Sequence, residues 1–329
     1  MMMSIATLGS QRSSQKTGDR FGLVGLGREA RNTYIPLLMA RQLLVAGADP
    51  TLPADLSFPV FSNLSEMIRH SEINKVVLCT DPRMHFPLLE EALTFRLPIL
   101  CEKPICCAVT EMQALLKRAH AANVTLQFVE NWLRSAHYRA LTTAILSDVA
   151  STNRKQVFSV TFERPRLDYS SWRDAPSAGG PIWEYGWHAI YLWRTISGVL
   201  GRRLKADDVS VLSAVEDEEA SSFRCVAGQL TLEFSFKRTD GHRATSLSFE
   251  CGEYRVVASD RTLTVLTDLQ VLSESIVPGE TLSSPAARIQ WFADYLSDTY
   301  VSPENWRNVI TCLSVLHQIS RLSPTEKRQ

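Results

Sequence analysis

Phe21-Gly22-Leu23-Val24-Gly25-Leu26-Gly27-Arg28-Glu29-Ala30 is the stretch that decides the fold of this 329-residue chain. Residues 21–24 are a short apolar run that reads as a buried strand, and G-x-G-x-x-A follows it and opens a helical pattern. Each small residue has a steric task. Gly25 permits a tight strand-to-helix turn, Gly27 lets backbone N–H groups come close to a diphosphate, and Ala30 lets the helix pack on the strand. The oriented N–H dipoles of the helix start favour an anion there. Asp49 ends the next strand about twenty residues on, where a carboxylate accepts a hydrogen bond from an adenine-ribose hydroxyl. Preceding strand, following helix and acid together predict a dinucleotide site, with residues 25–30 and Asp49 in contact with it. A carboxylate at position 49 repels the extra phosphate of NADP, and Pro50-Thr51 bring no cation, so NAD is favoured. Arg28 keeps NADP open, because a guanidinium can swing onto a 2′-phosphate.

Outward from this stretch, apolar runs at 43–48, 75–80, 97–101 and 124–129 read as further strands. Helical patterns separate them: up to about residue 42, 65–70 with Asn63 or Ser65 as cap, 86–94, and 110–122 with Thr110 as N-cap. Pro36 removes an N–H inside the first helix and predicts a kink or a modified first turn there. Continuously apolar strands alternating with helices mean a doubly wound parallel sheet covered on both faces.

The second half changes character. Residues 138–148 are helical, and 156–164 alternate with period two as a half-buried strand. A polar loop runs to Ala178, and a helix spans 181–197, with Pro at its first position and Gly198 at its end. Short strands follow at 209–215, 223–227, 229–236, 245–250, 254–258 and 263–266, an open and largely antiparallel sheet. Helices at 285–300 and 303–319 close the chain. The fold class is α/β: an N-terminal Rossmann-type sheet at 21–130, then an α+β domain at 131–329, after a disordered tail at 1–20.

Composition narrows the function classes. Lys plus Arg and Asp plus Glu are 35 each, so the net charge is zero. That opposes broad electrostatic capture of nucleic acid or an anionic membrane. No apolar run approaches a membrane span, and residues 1–20 lack the apolar core of a secretory signal. The seven cysteines are odd in number and show no C-x-x-C spacing. They read as small core hydrophobes in a reducing cytoplasm, and no metal site is expected.

A second cluster bears on chemistry. Glu102-Lys103-Pro104 follows the fourth of these strands, and the carboxyl ends of strands line the ligand crevice of such a sheet. Glu184 and His188 lie four apart on one helix face. A histidine suits general acid–base work on a hydroxyl, an ammonium stabilises charge on the reacting oxygen, and Glu184 is placed to orient the imidazole. His85 reads as a structural histidine at the crevice rather than a catalytic one.

Taken together, these motifs resemble the Gfo/Idh/MocA oxidoreductase family. The resemblance rests on the glycine turn, Asp49, Thr80 through His85, Glu102-Lys103-Pro104, Asn131, Trp172-Arg173-Asp174 and the acid-x-x-x-His element. It implies hydride transfer at a secondary alcohol or carbonyl of a sugar, polyol or related small molecule. Lys103, Glu184 and His188 fall on the catalytic positions. Thr80, His85 and Glu102 fall beside the cofactor, and Asn131, Arg134, Trp172, Tyr185 and Tyr191 toward the substrate. It also implies a homodimer or homotetramer built through the C-terminal sheet. The chain departs from the family where Glu184 replaces an aspartate, where Tyr191 stands at a position often held by aspartate, and at Asp81-Pro82. A bilin-type reductase or a non-catalytic dinucleotide sensor on the same fold are the alternatives, and Lys103 speaks against the first.

Overall fold

The computed structural model describes residues 18–148, 154–166, 180–217, 219–259, 262–267, 270–276, 285–297 and 305–322. Its first sheet is built from β1 (Phe21–Val24), β2 (Leu44–Ala48), β3 (Val60–Phe61), β4 (Lys75–Leu78), β5 (Ile99–Cys101) and β6 (Leu126–Phe128). Their order is β3-β2-β1-β4-β5-β6, every pair parallel. The two-residue β3 was not visible in the sequence, since its length carries no periodicity. β1 and β4 flank the point where the strand order reverses, which is where open α/β sheets bind ligands.

The helices on this sheet are α1 (Ile35–Ala40), α2 (Leu64–His70), α3 (Pro82–Thr94) and α4 (Val109–Ala121). A π-helical turn at Ala30–Tyr34 precedes α1 and puts Pro36 in the first turn of that helix. This widened turn is the modified first turn that was one of the two expectations, and it relieves the clash between a proline ring and the carbonyl four residues back. α3 starts four residues earlier than its apolar pattern suggests. Asp81 caps it by accepting the Arg83 N–H, and Pro82 occupies the first turn, where a missing N–H costs nothing. At α4 the expected Thr110 cap gives way to Ala108, whose N–H is bound by Glu111 Oε2 at 2.7 Å.

The second sheet has eight strands: β7 (Gln156–Pro165), β8 (Ser210–Glu216), β9 (Ala220–Ala227), β10 (Leu230–Thr239), β11 (Ala244–Cys251), β12 (Tyr254–Ser259), β13 (Thr262–Thr267) and β14 (Gln270–Ile276). The order is β14-β13-β12-β11-β7-β10-β9-β8, antiparallel except where β7 runs parallel to β10. β7 alternates buried and half-buried residues along its whole length, so one face meets the core and the other is open. β14 escaped the sequence reading.

The core face of this sheet carries α5 (Ala136–Asp148), α6 (Gly180–Val199) and α8 (Asn305–Leu322). α6 runs past the expected stop at Gly198 and ends before Gly201, which takes the left-handed conformation at φ 70°. α7 (Pro285–Leu296) returns to the first sheet, where Trp291 and Phe292 join the core around Phe21, Tyr34 and Leu38. Asn305 at the start of α8 accepts the Phe128 N–H and donates to the Phe128 carbonyl. It thereby covers the edge strand β6 as a neighbouring strand would. Residues 18–20 are tied down through Asn74, Lys75 and Glu72. The rest of the expected tail lies outside the described residues.

Candidate active site

A groove of about 750 Å³ opens over the carboxyl ends of β1, β2, β4 and β5, lined by Gly25, Gly27, Asp49, Thr80, Lys103 and Glu184 among others. Gly25 sits at φ 86°, and a Cβ there would meet the Cys79 carbonyl oxygen at 2.5 Å. Both the turn and the contact with β4 therefore need glycine. A Cβ on Gly27 would enter open space, so that side of the turn is a bare backbone cradle beside exposed Arg28. Ala30 is buried against β1. Asp49 Oδ2 accepts the Leu26 N–H at 2.9 Å, and Oδ1 accepts the Thr51 N–H and hydroxyl at 2.9 and 2.7 Å. Its carboxyl lies below the ordinary aspartate value, because these bonds and nearby Arg31 outweigh the opposing effect of burial. The cradle, the helix start and an ionised acid at the second strand fit a nicotinamide dinucleotide. Gly25–Ala30 would hold the diphosphate and Asp49 the adenine ribose.

At the end of β5, Lys103 Nζ donates to Glu184 Oε1 at 3.0 Å, with side chains 7 % and 11 % exposed. Glu184 is thus paired with the lysine, where the sequence reading had it orient His188. His188, 4 % exposed, packs under Trp132 with ring centroids 4.8 Å apart. Its Nδ1 faces the Tyr191 hydroxyl at 2.8 Å. Burial first, then Lys103, Arg288 and Arg164, hold its basicity well below the ordinary imidazole value. His188 follows Glu184 by one helical turn along α6.

Other expected residues have different tasks. His85 donates from Nδ1 to the Pro104 carbonyl at 2.7 Å, and burial pushes its pKa down to about 4. It is a neutral strut under the Lys103–Pro104 segment. Arg134 pairs with Asp294 of α7 at 2.7 Å, so it joins two elements instead of facing the groove. Tyr185 is sandwiched between Phe162 and Phe236 over the second sheet, and Arg164 stacks on it. Asn131 is buried in a short helical turn before α5. Trp172, Arg173 and Asp174 lie outside the described residues.

The sequence reading missed Arg288. This α7 side chain lines the groove, is ion-paired with Glu29 of the glycine turn, and approaches Glu102 Oε1 at 3.7 Å. Tyr34 donates to the same Glu102 oxygen at 2.6 Å, and burial keeps its phenol protonated. Glu130, after β6, was missed as well. Burial raises its pKa to about 7, against bonds from Asn308 and Asn305. Neither residue has a local motif, since an arginine or a glutamate acquires meaning only from what packs around it.

A parallel sheet in this order, with a glycine cradle and an acid at the next strand, defines a dinucleotide-binding Rossmann protein. Residues 20–130 match the Gfo/Idh/MocA model, an oxidoreductase family with an NAD-binding Rossmann fold. An uncharacterised oxidoreductase of Schizosaccharomyces pombe is 28% identical over 142 residues, 42% of this chain and 38% of the relative. Galactose 1-dehydrogenase of Pseudomonas fluorescens is 29% identical over 106 residues, 31% of this chain and 34% of the enzyme. The matches thus span little more than a third of these relatives' length. The 3-ketoreductase from Actinomadura kijaniata, solved with NADP and TDP-benzene, superposes with a TM-score of 0.75 at 15% identity, covering 93% of this chain and 98% of that one. That likeness extends the common fold through the second sheet. Among the described residues no helix is long and apolar enough to cross a membrane, and no group of His, Cys, Asp and Glu is arranged to hold a metal.

Proposed function

We propose that this chain is a nicotinamide-dependent oxidoreductase acting on a secondary alcohol or carbonyl of a sugar, polyol or related small molecule. The observation that carries the reading is the buried Lys103–Glu184 pair in the same groove as the glycine cradle. The bound nicotinamide supplies or takes the hydride. Lys103 hydrogen-bonds the reacting oxygen and stabilises negative charge on it, in a site where low water access strengthens such contacts. Glu184 holds the ammonium in place. The name of the galactose 1-dehydrogenase that the chain matches supports the substrate class. Asp49 supports NAD over NADP, since both its oxygens already hold the turn and the groove there has an anionic wall.

The remaining expectations extend this proposal. The Rossmann domain runs from 21 to 130 and the second domain from 131 to 329, with α7 reaching back to the first. Exposed Leu212, Val215 and Val271 on the outer strands of the second sheet support a homodimer or homotetramer through that sheet. The absence of a disulfide among the described cysteines supports a reducing cytoplasm. The test is a fluorescence titration with NADH and NADPH, followed by a panel of polyols and keto-sugars. Native protein should turn over at least one of them, whereas Lys103→Ala should bind cofactor and turn over none. Tight cofactor binding with no turnover across the panel would favour the sensor reading instead.

A further inference from the structure

We propose that Tyr191 holds His188 in its Nε2–H tautomer, so that the imidazole can serve as a hydrogen-bond donor and not as a base. The role in the reaction rests on the hydride-transfer reading, whereas the tautomer does not.

The argument is one of counting protons. Tyr191 is fully buried in the middle of α6. Among the described residues its hydroxyl has two partners: the Trp132 backbone N–H at 3.1 Å and His188 Nδ1 at 2.8 Å. A backbone amide can only donate, so the phenol oxygen accepts from Trp132. If Nδ1–H also donated to that oxygen, the phenol's own proton would be a buried donor with no acceptor, an arrangement native interiors avoid. In the arrangement that satisfies all three groups, the Tyr191 O–H donates to the bare Nδ1. The single proton of a neutral imidazole is then on Nε2. The groups around the ring keep it neutral. Lys103, Arg288 and Arg164 are the cations within electrostatic reach, and the adjacent carboxylate, Glu184, is paired with Lys103. Tyr191 itself is held protonated by burial. Trp132, whose N–H sets the direction of the phenol, also packs its ring on the imidazole, tilted by 32°.

A neutral imidazole can polarise a carbonyl without surrendering its proton. Accepting a proton at Nε2 would require Nδ1 to carry the other proton and would orphan the Tyr191 hydroxyl. The proton balance therefore falls to Lys103. In the direction of reduction, the oxygen would take its proton from the Lys103 ammonium, and a proton from solvent would restore the ammonium. His188 ends as it began.

The test needs neither cofactor nor substrate, so its failure is distinct from failure of the enzymatic reading. In 15N-labelled protein at pH 7, a long-range 1H–15N correlation reports each ring nitrogen, with His188 assigned by difference from His188→Gln. The expected result is a pyridine-type Nδ1 and a pyrrole-type Nε2, favoured by about tenfold or more. Tyr191→Phe removes the hydroxyl and keeps the ring, and should average the two nitrogen shifts. A pyrrole-type Nδ1 in the native protein, an imidazolium at pH 7, or unchanged shifts in Tyr191→Phe would each overturn the assignment. If Tyr191→Phe does not fold, the native spectrum alone decides.

Discussion

Replacing Lys103 by Met should destabilise the protein strongly at pH 7 and weakly at pH 5. The ammonium and the Glu184 carboxylate are 3.0 Å apart, with side chains 7 % and 11 % exposed. Removing one partner strands the other, and an unpaired buried charge costs about 3–5 kcal/mol. Glu184 can escape this cost by taking a proton, which sets a ceiling. From about 1.36 kcal/mol per pH unit above an ordinary glutamate value near 4.3, the ceiling is ~3.7 kcal/mol at pH 7 and ~1 kcal/mol at pH 5. The sign follows from linkage. In the variant, folded Glu184 binds its proton more tightly than unfolded Glu184 does, so the penalty is absent below the unfolded value and grows as pH rises. Glu184→Gln is the mirror case. It strands the ammonium as an unpaired buried charge, with a loss of the same order. The double variant leaves two neutral side chains of similar volume and should recover most of either loss. Urea unfolding of the three variants at pH 5, 7 and 9 measures all of this. Equal losses for Lys103→Met at pH 5 and 7, or single losses that simply add in the double variant, would refute the picture of a desolvated pair.

Arg288→Met should leave Glu29 and Glu102 unneutralised beside the cofactor cradle and weaken NADH binding by about tenfold or more, less so at high salt; an unaltered Kd in a fluorescence titration would count against it. Glu130 binds its proton more tightly folded, at about 7, than at its ordinary 4.5. It therefore costs stability as pH rises through that window, on the order of 3 kcal/mol above it. Glu130→Gln should be more stable than the native protein at pH 8 and match it near pH 5, as read from urea midpoints.

Much of the first sheet was legible because its signals are local. Gly25 must adopt a positive φ against the next strand, Asp49 must sit at a strand end, and the lysine of Glu102-Lys103-Pro104 must follow one. Each requirement acts over a few residues. Signals shorter than a period were lost, as at β3. Where two local cues competed, the cap at α4 went to the residue whose N–H a downstream glutamate could reach.

The chain order of glycines, acids and apolar runs by itself determined a parallel dinucleotide-binding sheet, a second and more open sheet, and a lysine delivered to the crevice. Tertiary structure alone decided the company each of these groups keeps. It gave Glu184 to Lys103, matched His188 with Tyr191 under Trp132, and brought Arg288 to the glycine turn from a helix more than 250 residues downstream. The reason is physical: backbone geometry is set by neighbours in sequence, whereas a buried charge or ring nitrogen must be satisfied by whatever packing brings within about 3 Å.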